Sequence, residues 1–139
     1  MTQQQWEAQI EPCPPEGQGE ILAALRACTE QFIPPRTDLS QRVMEGERCV
    51  AGIVGFCRGD SAEVDILWVA PDYRGAGLGR ALLKRVEDLA RAHGARRLIL
   101  DTFTFQAPRF YEALGYHCYA RLEPLVNGYG RYYYSKDLS

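Results

Sequence analysis

The feature that most constrains this chain is a glycine-rich turn between a strand-like segment and a helix-like one. The apolar run from Val64 to Ala70 leads directly into Pro-Asp-Tyr-Arg-Gly-Ala-Gly-Leu-Gly-Arg, residues 71–80, after which the apolar residues follow a helical period. Three glycines within five residues let the backbone fold close to a ligand, and the free N–H groups of a first helical turn attract anions. The segment therefore predicts an anion-binding turn, with a purely structural turn as the alternative.

Spacing separates this turn from the two common phosphate loops. A nucleotide P-loop requires Lys followed by Ser or Thr after its glycines, and no such pair follows Gly79. A dinucleotide fingerprint requires a third glycine at the position that Arg80 occupies. Both kinds of nucleotide loop are excluded.

Length and charge exclude several classes of protein. A chain of 139 residues predicts one domain, 1–139, and its 46% hydrophobic content excludes native disorder. Sixteen basic against eighteen acidic side chains leave no field that would attract nucleic acid. The longest uncharged apolar run, Cys49 to Cys57, is too short to cross a bilayer, and the polar start has no secretion signal. We therefore expect a cytoplasmic protein without nucleic-acid or membrane partners.

The five cysteines are not arranged as metal ligands. Their number is odd and none forms a CxxC pair, so we expect reduced thiols and no metal site. The five are Cys13, Cys28, Cys49, Cys57 and Cys118.

Periodicity predicts a mixed α/β architecture. After irregular connections around Pro12 to Pro15, a first helix is expected from Glu20 to Phe32. A three-stranded antiparallel meander follows, with a helix after Pro71, a strand, a short helix and two final strands. The strands are expected at Arg42–Met44, Arg48–Arg58, Ala62–Ala70, Arg97–Phe103, Tyr116–Leu122 and Arg131–Lys136, and the short helix at Pro108–Leu114. This order requires a parallel crossover within a mixed sheet.

The helix after Pro71 is amphipathic by the same criterion. Its apolar stripe consists of Leu78, Leu82, Val86, Leu89 and His93. Its charged residues are expected to face away from the sheet, and these are Arg80, Lys84, Arg85, Glu87, Asp88 and Arg91.

Two motifs give the chain a family resemblance. Residues 69–79 match the pattern V-x-P-x-[Y/F] followed by R-G-x-G-[L/I]-G, and so resemble the acetyl-CoA loop of the GNAT superfamily of N-acetyltransferases. Residues 107–116, Ala-Pro-Arg-Phe-Tyr-Glu-Ala-Leu-Gly-Tyr, are similar to that family's later A-x-x-F-Y-E-x-L-G-[F/Y] segment. The resemblance covers roughly Gly52 to Leu138. It departs from the family pattern where relatives have an asparagine and this chain has Thr104 or Gln106.

The resemblance implies a fold and a cosubstrate. The fold is a mixed, mostly antiparallel sheet splayed at a bulge between its fourth and fifth strands, with helices on both faces. The cosubstrate is acetyl-CoA, whose pyrophosphate would lie on the N–H groups of Arg74, Gly75, Ala76, Gly77, Leu78, Gly79 and Arg80. Its pantetheine arm would pair with backbone groups of Leu67, Trp68 and Val69, and the Leu67 N–H would hold the thioester carbonyl.

The resemblance also implies catalytic roles. Tyr111 matches the family tyrosine near the sulfur and would be a general acid, with a packed core aromatic as the alternative. For the base, Glu63 and Asp65 alternate with apolar residues and are expected on one face of a strand. Asp101 at the end of the next strand and a water relay stay open as alternatives. Cys118 is a weaker candidate for an acyl-carrying nucleophile, since no histidine is placed to activate it.

The sequence therefore predicts an N-acetyltransferase that moves an acetyl group from acetyl-CoA to a primary amine by direct attack in a ternary complex. A non-catalytic acyl-CoA-binding module is the alternative. The acceptor is a small-molecule or peptide amine, and a homodimer stays open.

Overall fold

The computed structural model describes all 139 residues in two compact units, Met1–Pro34 and Pro35–Ser139. The first unit holds α1 (Gln3–Glu7) and α2 (Pro15–Thr29). The first helix was expected to begin at Glu20, and it begins five residues earlier because proline is accommodated in the first helical turn. Short α1 was not predicted. None of the helices is long and apolar enough to span a membrane.

The second unit alternates strands and helices largely in the predicted order. Its elements are β1 (Thr37–Asp38), β2 (Gln41–Glu45), β3 (Arg48–Arg58), β4 (Ser61–Val69), α3 (Leu78–Ala92), β5 (Arg97–Phe103), α4 (Pro108–Ala113), β6 (His117–Val126) and β7 (Tyr129–Asp137). The meander, the crossover and the two final strands are confirmed. Strand β1 was missed because two residues carry no periodicity.

One seven-stranded sheet runs through this unit. Its order is β1-β3-β4-β5-β7-β6. Strand β2 also pairs with β3, on the same edge as β1 but along a different part of β3. Only β4 and β5 are parallel, and their pairing stops after Val64 and Leu100. The predicted mixed, mostly antiparallel sheet that splays between its fourth and fifth strands is therefore confirmed. The placement of helices on both faces involves both units and stays a prediction, as does the single domain.

Helices α3 and α4 pack on the same face of this sheet. Leu98 and Leu100 of β5 join one buried cluster with Leu83 and Val86 of α3. Tyr134 is the register partner of Leu100, and the ring of Tyr111 on α4 lies 6.1 Å from it. Side chains two apart on a strand share a face, so both helices cover the side that carries Leu98 and Leu100. We call this side the helical face.

Glu87 corrects the expected polar face of α3. It was expected to point into solvent, but it is only 6% exposed. Its carboxylate accepts hydrogen bonds from the Tyr116 hydroxyl at 2.7 Å and from the Lys136 ammonium at 3.1 Å. Conversely, His93 was assigned to the apolar stripe and is exposed. Helical periodicity alone missed Glu87 because its partners come from a loop and from β7.

Candidate functional site

The glycine-rich turn leaves the start of α3 open. Gly75 and Gly77 both have φ of +83°, in the left-handed region that favours glycine, and no atom would crowd an added Cβ at either position. Glycine is therefore required there for its conformation rather than for space. Gly77 is the N-cap and supplies no side-chain acceptor, and the first turn of α3 has no acidic residue. The leading N–H groups and the positive end of the helix dipole thus face outward without a partner.

Two arginines brace the turn. Arg74 donates from Nε to the carbonyl oxygen of Val69 at 2.9 Å, which ties the turn to the end of β4. Arg48 forms two hydrogen bonds of 2.8 and 2.9 Å with the Asp72 carboxylate. This contact lowers the pKa of Asp72, so the carboxylate stays charged and keeps its partner at neutral pH. The turn is consequently held in place before any ligand arrives.

A β-bulge in β4 lies where β4 and β5 diverge. Val54 of β3 pairs with Ile66, but its neighbour Gly55 pairs with Val64, so Asp65 is an extra residue. An added Cβ on Gly55 would lie 2.6 Å from the carbonyl oxygen of Glu63. Only glycine fits opposite this bulge. A glycine inside a strand pattern is a known sign of a bulge, and that signal could have been used at the sequence level.

Beyond the bulge, alternate residues of β4 present an open backbone edge. The Ala70 N–H donates to the carbonyl of Val50 at 2.8 Å, which marks a hydrogen-bonded pair with β3. Hydrogen-bonded and non-hydrogen-bonded pairs alternate along an antiparallel ladder, so the backbone of Trp68 also bonds to β3. The backbone N–H and C=O groups of Leu67 and Val69 point away from β3. No strand pairs with them on that side, since β5 has already diverged. The open edge thus consists of the N–H and carbonyl of Leu67 and the N–H of Val69, whose carbonyl already accepts from Arg74. The backbone of Trp68 does not belong to it.

Helix α4 packs beside this edge, near the end of β4. An added Cβ on Gly79 would lie 3.6 Å from both the Phe110 ring and the Val69 side chain. Phe110 therefore packs where β4 ends and α3 begins. Tyr111, next to it, is 7% exposed, and its ring meets Phe110 and Tyr116 edge-on at 5.2 and 5.9 Å. The second motif, residues 107–116, therefore packs against the first, residues 69–79.

The hydroxyl of Tyr111 has no hydrogen-bond partner within the chain, unlike those of Tyr116 and Tyr134, which bond to Glu87 and Glu112. Burial, with a smaller contribution from the charge of Asp101, raises the pKa of Tyr111 to about 12. The phenol therefore retains its proton at neutral pH, and its unpartnered hydroxyl can donate a hydrogen bond to a ligand.

The three candidate carboxylates differ in their partners. Oδ1 of Asp101 accepts a hydrogen bond from Arg131 Nε at 2.8 Å, and Nη2 of the same guanidinium lies 2.7 Å from that oxygen in an ion pair. Asp65 is exposed, Glu63 is half-buried, and neither forms an ion pair. The expectation that both share a face relied on unbroken alternation. Because Asp65 is the bulged residue, the pleat no longer fixes the face of its side chain.

Thr104 and Gln106 shape the loop between β5 and α4. Oε1 of Gln106 accepts from the Phe103 N–H at 2.9 Å, and the Thr104 hydroxyl accepts from the Gly130 N–H at 3.1 Å. Both side chains therefore stabilise the chain itself in this structure.

Comparison with known proteins agrees with this geometry. Residues 2–116 match the profile of the Acetyltransferase (GNAT) family. The chain belongs to the GNAT family. It is 38% identical over 96 residues to a blasticidin-S acetyltransferase from Streptomyces morookaense, a match that covers 67% of this chain and 71% of that protein.

Solved GNAT structures share the fold. An acetyltransferase from Bacillus cereus superposes with a TM-score of 0.81 at 27% identity, over 93% of this chain and 96% of that one. A Bacillus anthracis protein assigned as a streptothricin acetyltransferase, solved in complex with acetyl-CoA, superposes with a TM-score of 0.64 at 16% identity. That match covers 78% of this chain and 66% of that one. As a member of this family, the protein is an acetyl-CoA-dependent N-acetyltransferase.

The GNAT motifs thus lie together in space, as the sequence predicted for the family. The turn, the open edge at Leu67 and Val69, and Tyr111 converge on the gap between β4 and β5. Cys118 lies apart from them on β6, where its Sγ is 3.5 Å from the carbonyl of Ala120.

Proposed function

We propose that acetyl-CoA binds in the gap between β4 and β5. The observation that carries this proposal is the open edge of Leu67 and Val69, which ends at the uncapped start of α3. The pantetheine amides pair with this edge as a strand would. The pyrophosphate lies on the N–H groups of residues 77–80, and Arg80 is exposed beside them with a further charge.

The Leu67 N–H polarises the thioester carbonyl. Its hydrogen bond strengthens as that oxygen gains charge in the tetrahedral intermediate. The amine nitrogen attacks the carbonyl carbon directly, a C–N bond forms, and the C–S bond then breaks. The proton lost by the amine balances the one gained by the thiolate, so the products are an amide and free coenzyme A.

Tyr111 donates to the departing sulfur. A phenol with a pKa near 12 is a weaker acid than a thiol, whose reference pKa is about 8.5. Full transfer of its proton to the sulfur is therefore uphill. We assign Tyr111 the role of a hydrogen-bond donor that stabilises the developing thiolate and keeps its own proton.

Asp65 is the favoured base, with Glu63 as the alternative. Asp65 is exposed, free of ion pairs and placed where the pairing of β4 with β5 ends. Asp101 is less suited, because Arg131 already occupies its Oδ1. Asp65→Asn, Glu63→Gln and Asp101→Asn are the matched variants. The base variant should lose the acidic limb of the pH profile of kcat/KM, and full turnover in all three would assign proton removal to water.

The acceptor is a small-molecule amine. The relative from Streptomyces morookaense is named for a small molecule, blasticidin S, and supports this class over a peptide. We further propose that the enzyme acts in the cytoplasm. All five cysteines are free, as expected for a reducing compartment.

The test is coenzyme binding followed by turnover. Calorimetry should show micromolar-class binding of coenzyme A, and an amine panel should release free thiol from acetyl-CoA. Absence of binding at millimolar coenzyme would overturn the proposed site. Binding without turnover on any amine would favour the alternative, a non-catalytic acyl-CoA-binding module.

A further inference from the structure

The outer edge of the sheet is formed by β6, which carries a run of exposed apolar side chains. Strand β6 pairs only with β7, so its other edge has no strand beside it. Leu122 is 48% exposed, and Leu125 and Val126 are each 46% exposed. Tyr119 is 53% exposed, and its ring lies 6.3 Å from that of Tyr133. An unpaired strand edge with large exposed apolar side chains is a surface on which another strand can add.

Hydrogen bonds at the start of β7 fix the direction of its backbone groups. The carbonyl of Gly130 accepts a backbone hydrogen bond of 3.0 Å from the loop after β5, on the β5 side of β7. Backbone groups of successive residues in a strand point to opposite sides, so those of Arg131 face β6. Arg131 is the register partner of Leu122, and these two therefore form a hydrogen-bonded pair. The same alternation makes Tyr133 and its partner Ala120 the next such pair.

Three backbone groups of β6 are consequently left for a partner. The C=O and N–H of one trans peptide unit point in opposite directions. Because Ala120 and Leu122 bond to β7, the N–H and carbonyl of Arg121 and the N–H of Glu123 face the free edge. Pro124, which has no N–H, is not one of these groups. The side chains of Arg121 and Glu123 are both exposed, and neither forms an ion pair within the chain.

A two-fold axis at Leu122 matches these groups with a second copy of the chain. In an antiparallel pair centred there, Leu122 faces the partner's Leu122 and Arg121 faces the partner's Glu123. The Glu123 N–H then donates to the partner's Arg121 carbonyl, and the symmetry-related bond forms in return. Opposite charges that face each other across a strand pair stabilise it. Tyr119 and Leu125 lie three residues to either side of Leu122, so the axis also brings these two exposed apolar residues of different copies together.

We propose that this edge is the interface of a homodimer, in which β6 pairs antiparallel with β6 of a second copy and joins the two seven-stranded sheets. An axis at Arg121 or at Glu123 would place identical charges opposite each other, so charge selects Leu122 as the central residue. The two-fold contact covers the edge in both copies, and no third copy adds there. Strands β7 and β5 separate β6 from β4, so the dimer does not require coenzyme.

Reversal of charge tests the interface. Sedimentation equilibrium of the 139-residue protein should show a monomer–dimer equilibrium both with and without saturating coenzyme A. Arg121→Glu and Glu123→Arg each place like charges opposite each other at two symmetry-related positions, and each should weaken the dimer roughly 5- to 100-fold. The double variant restores opposite charges and should return the dissociation constant to within about threefold of the wild type. Arg42→Glu makes the same change of charge at an exposed position of β2 and should leave dimerisation unchanged.

Disulfide trapping tests the register. Leu122→Cys places two thiols in a non-hydrogen-bonded pair, where the Cα atoms are about 4.5 Å apart and within the range of a disulfide. After mild oxidation, peptide mapping should detect a link between the two copies at position 122. Ala120→Cys is the matched control. In the proposed register its two copies are four residues apart along the strands, roughly 13 Å, and should form no such link.

Several results would overturn the dimer. One is a protein that stays monomeric up to about 1 mM. Another is a dimer whose affinity is unchanged by both single charge reversals or is not recovered in the double variant. Equal trapping at positions 120 and 122 would contradict the register, and assemblies larger than a dimer would contradict the two-fold contact. Because dimerisation is measured without coenzyme as well, none of these results bears on the proposed acetyl-CoA site.

Discussion

The Tyr116 hydroxyl lies 2.7 Å from Oε2 of Glu87, and the Lys136 ammonium lies 3.1 Å from the same oxygen. The side chain of Glu87 is 8% exposed and that of Lys136 is 23% exposed. This group of three joins α3, the loop after α4 and β7. The ring of Tyr116 also packs edge-on against that of Tyr111, so this group helps to hold Tyr111 in position.

Replacement of Glu87 should destabilise the protein. Glu87→Ala leaves the buried Tyr116 hydroxyl and the half-buried Lys136 ammonium without their acceptor, and we expect a loss of about 2–4 kcal/mol in the free energy of unfolding. Urea denaturation measures it. Lys84→Ala is the matched control on α3, because its pair with Asp88 is largely exposed, and it should change stability by less than about 0.5 kcal/mol. Equal losses in the two variants would contradict the assignment.

The left-handed turn should be needed for coenzyme binding. Gly77→Ala forces a Cβ into a conformation that costs about 1–2 kcal/mol, so coenzyme affinity should fall roughly 5- to 30-fold as the turn shifts. Calorimetry with coenzyme A gives this value. Gly94→Ala imposes similar strain beyond the other end of α3, at φ of +88°, and should lower stability without changing affinity. An unchanged affinity in Gly77→Ala would place the anion site elsewhere.

Loss of the Tyr111 hydroxyl should slow turnover without weakening coenzyme binding. Tyr111→Phe keeps the ring packed against Phe110 and removes one donor, so we expect kcat to fall about 10²- to 10³-fold. Steady-state kinetics and calorimetry together separate kcat from coenzyme affinity. Parental turnover in this variant would make Tyr111 a core residue only.

The protein should lose stability at alkaline pH because Tyr111 is buried. Its pKa is near 12 when folded and near 10 when unfolded, so above pH 10 the unfolded chain releases a proton that the folded protein keeps. This contribution to stability is therefore complete below pH 10 and is lost as the pH rises toward 12. Urea denaturation of the wild type and of Tyr111→Phe across this window should show a shallower decline in the variant. Identical slopes would contradict the raised pKa.

Two glycines of β3 should differ sharply in their tolerance of alanine. An added Cβ on Gly55 meets the Glu63 carbonyl at 2.6 Å, whereas on Gly52 it meets the Gln41 carbonyl at 3.5 Å, an ordinary contact. Gly55→Ala should thus shift the bulge, lower kcat and lower the melting temperature. Gly52→Ala should leave turnover near that of the wild type. Comparable effects on kcat would mean that the bulge does not position the open edge.

Features set by a few consecutive residues could be predicted from the sequence, whereas features set by contacts between distant residues could not. The turn at Gly75 and Gly77 was identified correctly because positive φ and a helix start are properties of a few consecutive residues. The burial of Glu87 was missed because its partners Tyr116 and Lys136 are 29 and 49 residues away. The position of the bulge, at Asp65, was missed for a related reason. A shift of one residue in register depends on the pairing of two strands rather than on either strand alone.

The unpaired edge of β4 also affects the protein when no coenzyme is bound. The amides of Leu67 and Val69 then exchange with solvent while those of Ile66 and Trp68 are bonded to β3, so hydrogen exchange along β4 should alternate residue by residue. A free strand edge also attracts strands from other chains. In the proposed complex acetyl-CoA covers that edge as a substitute strand, so we expect saturating coenzyme to reduce any self-association through β4.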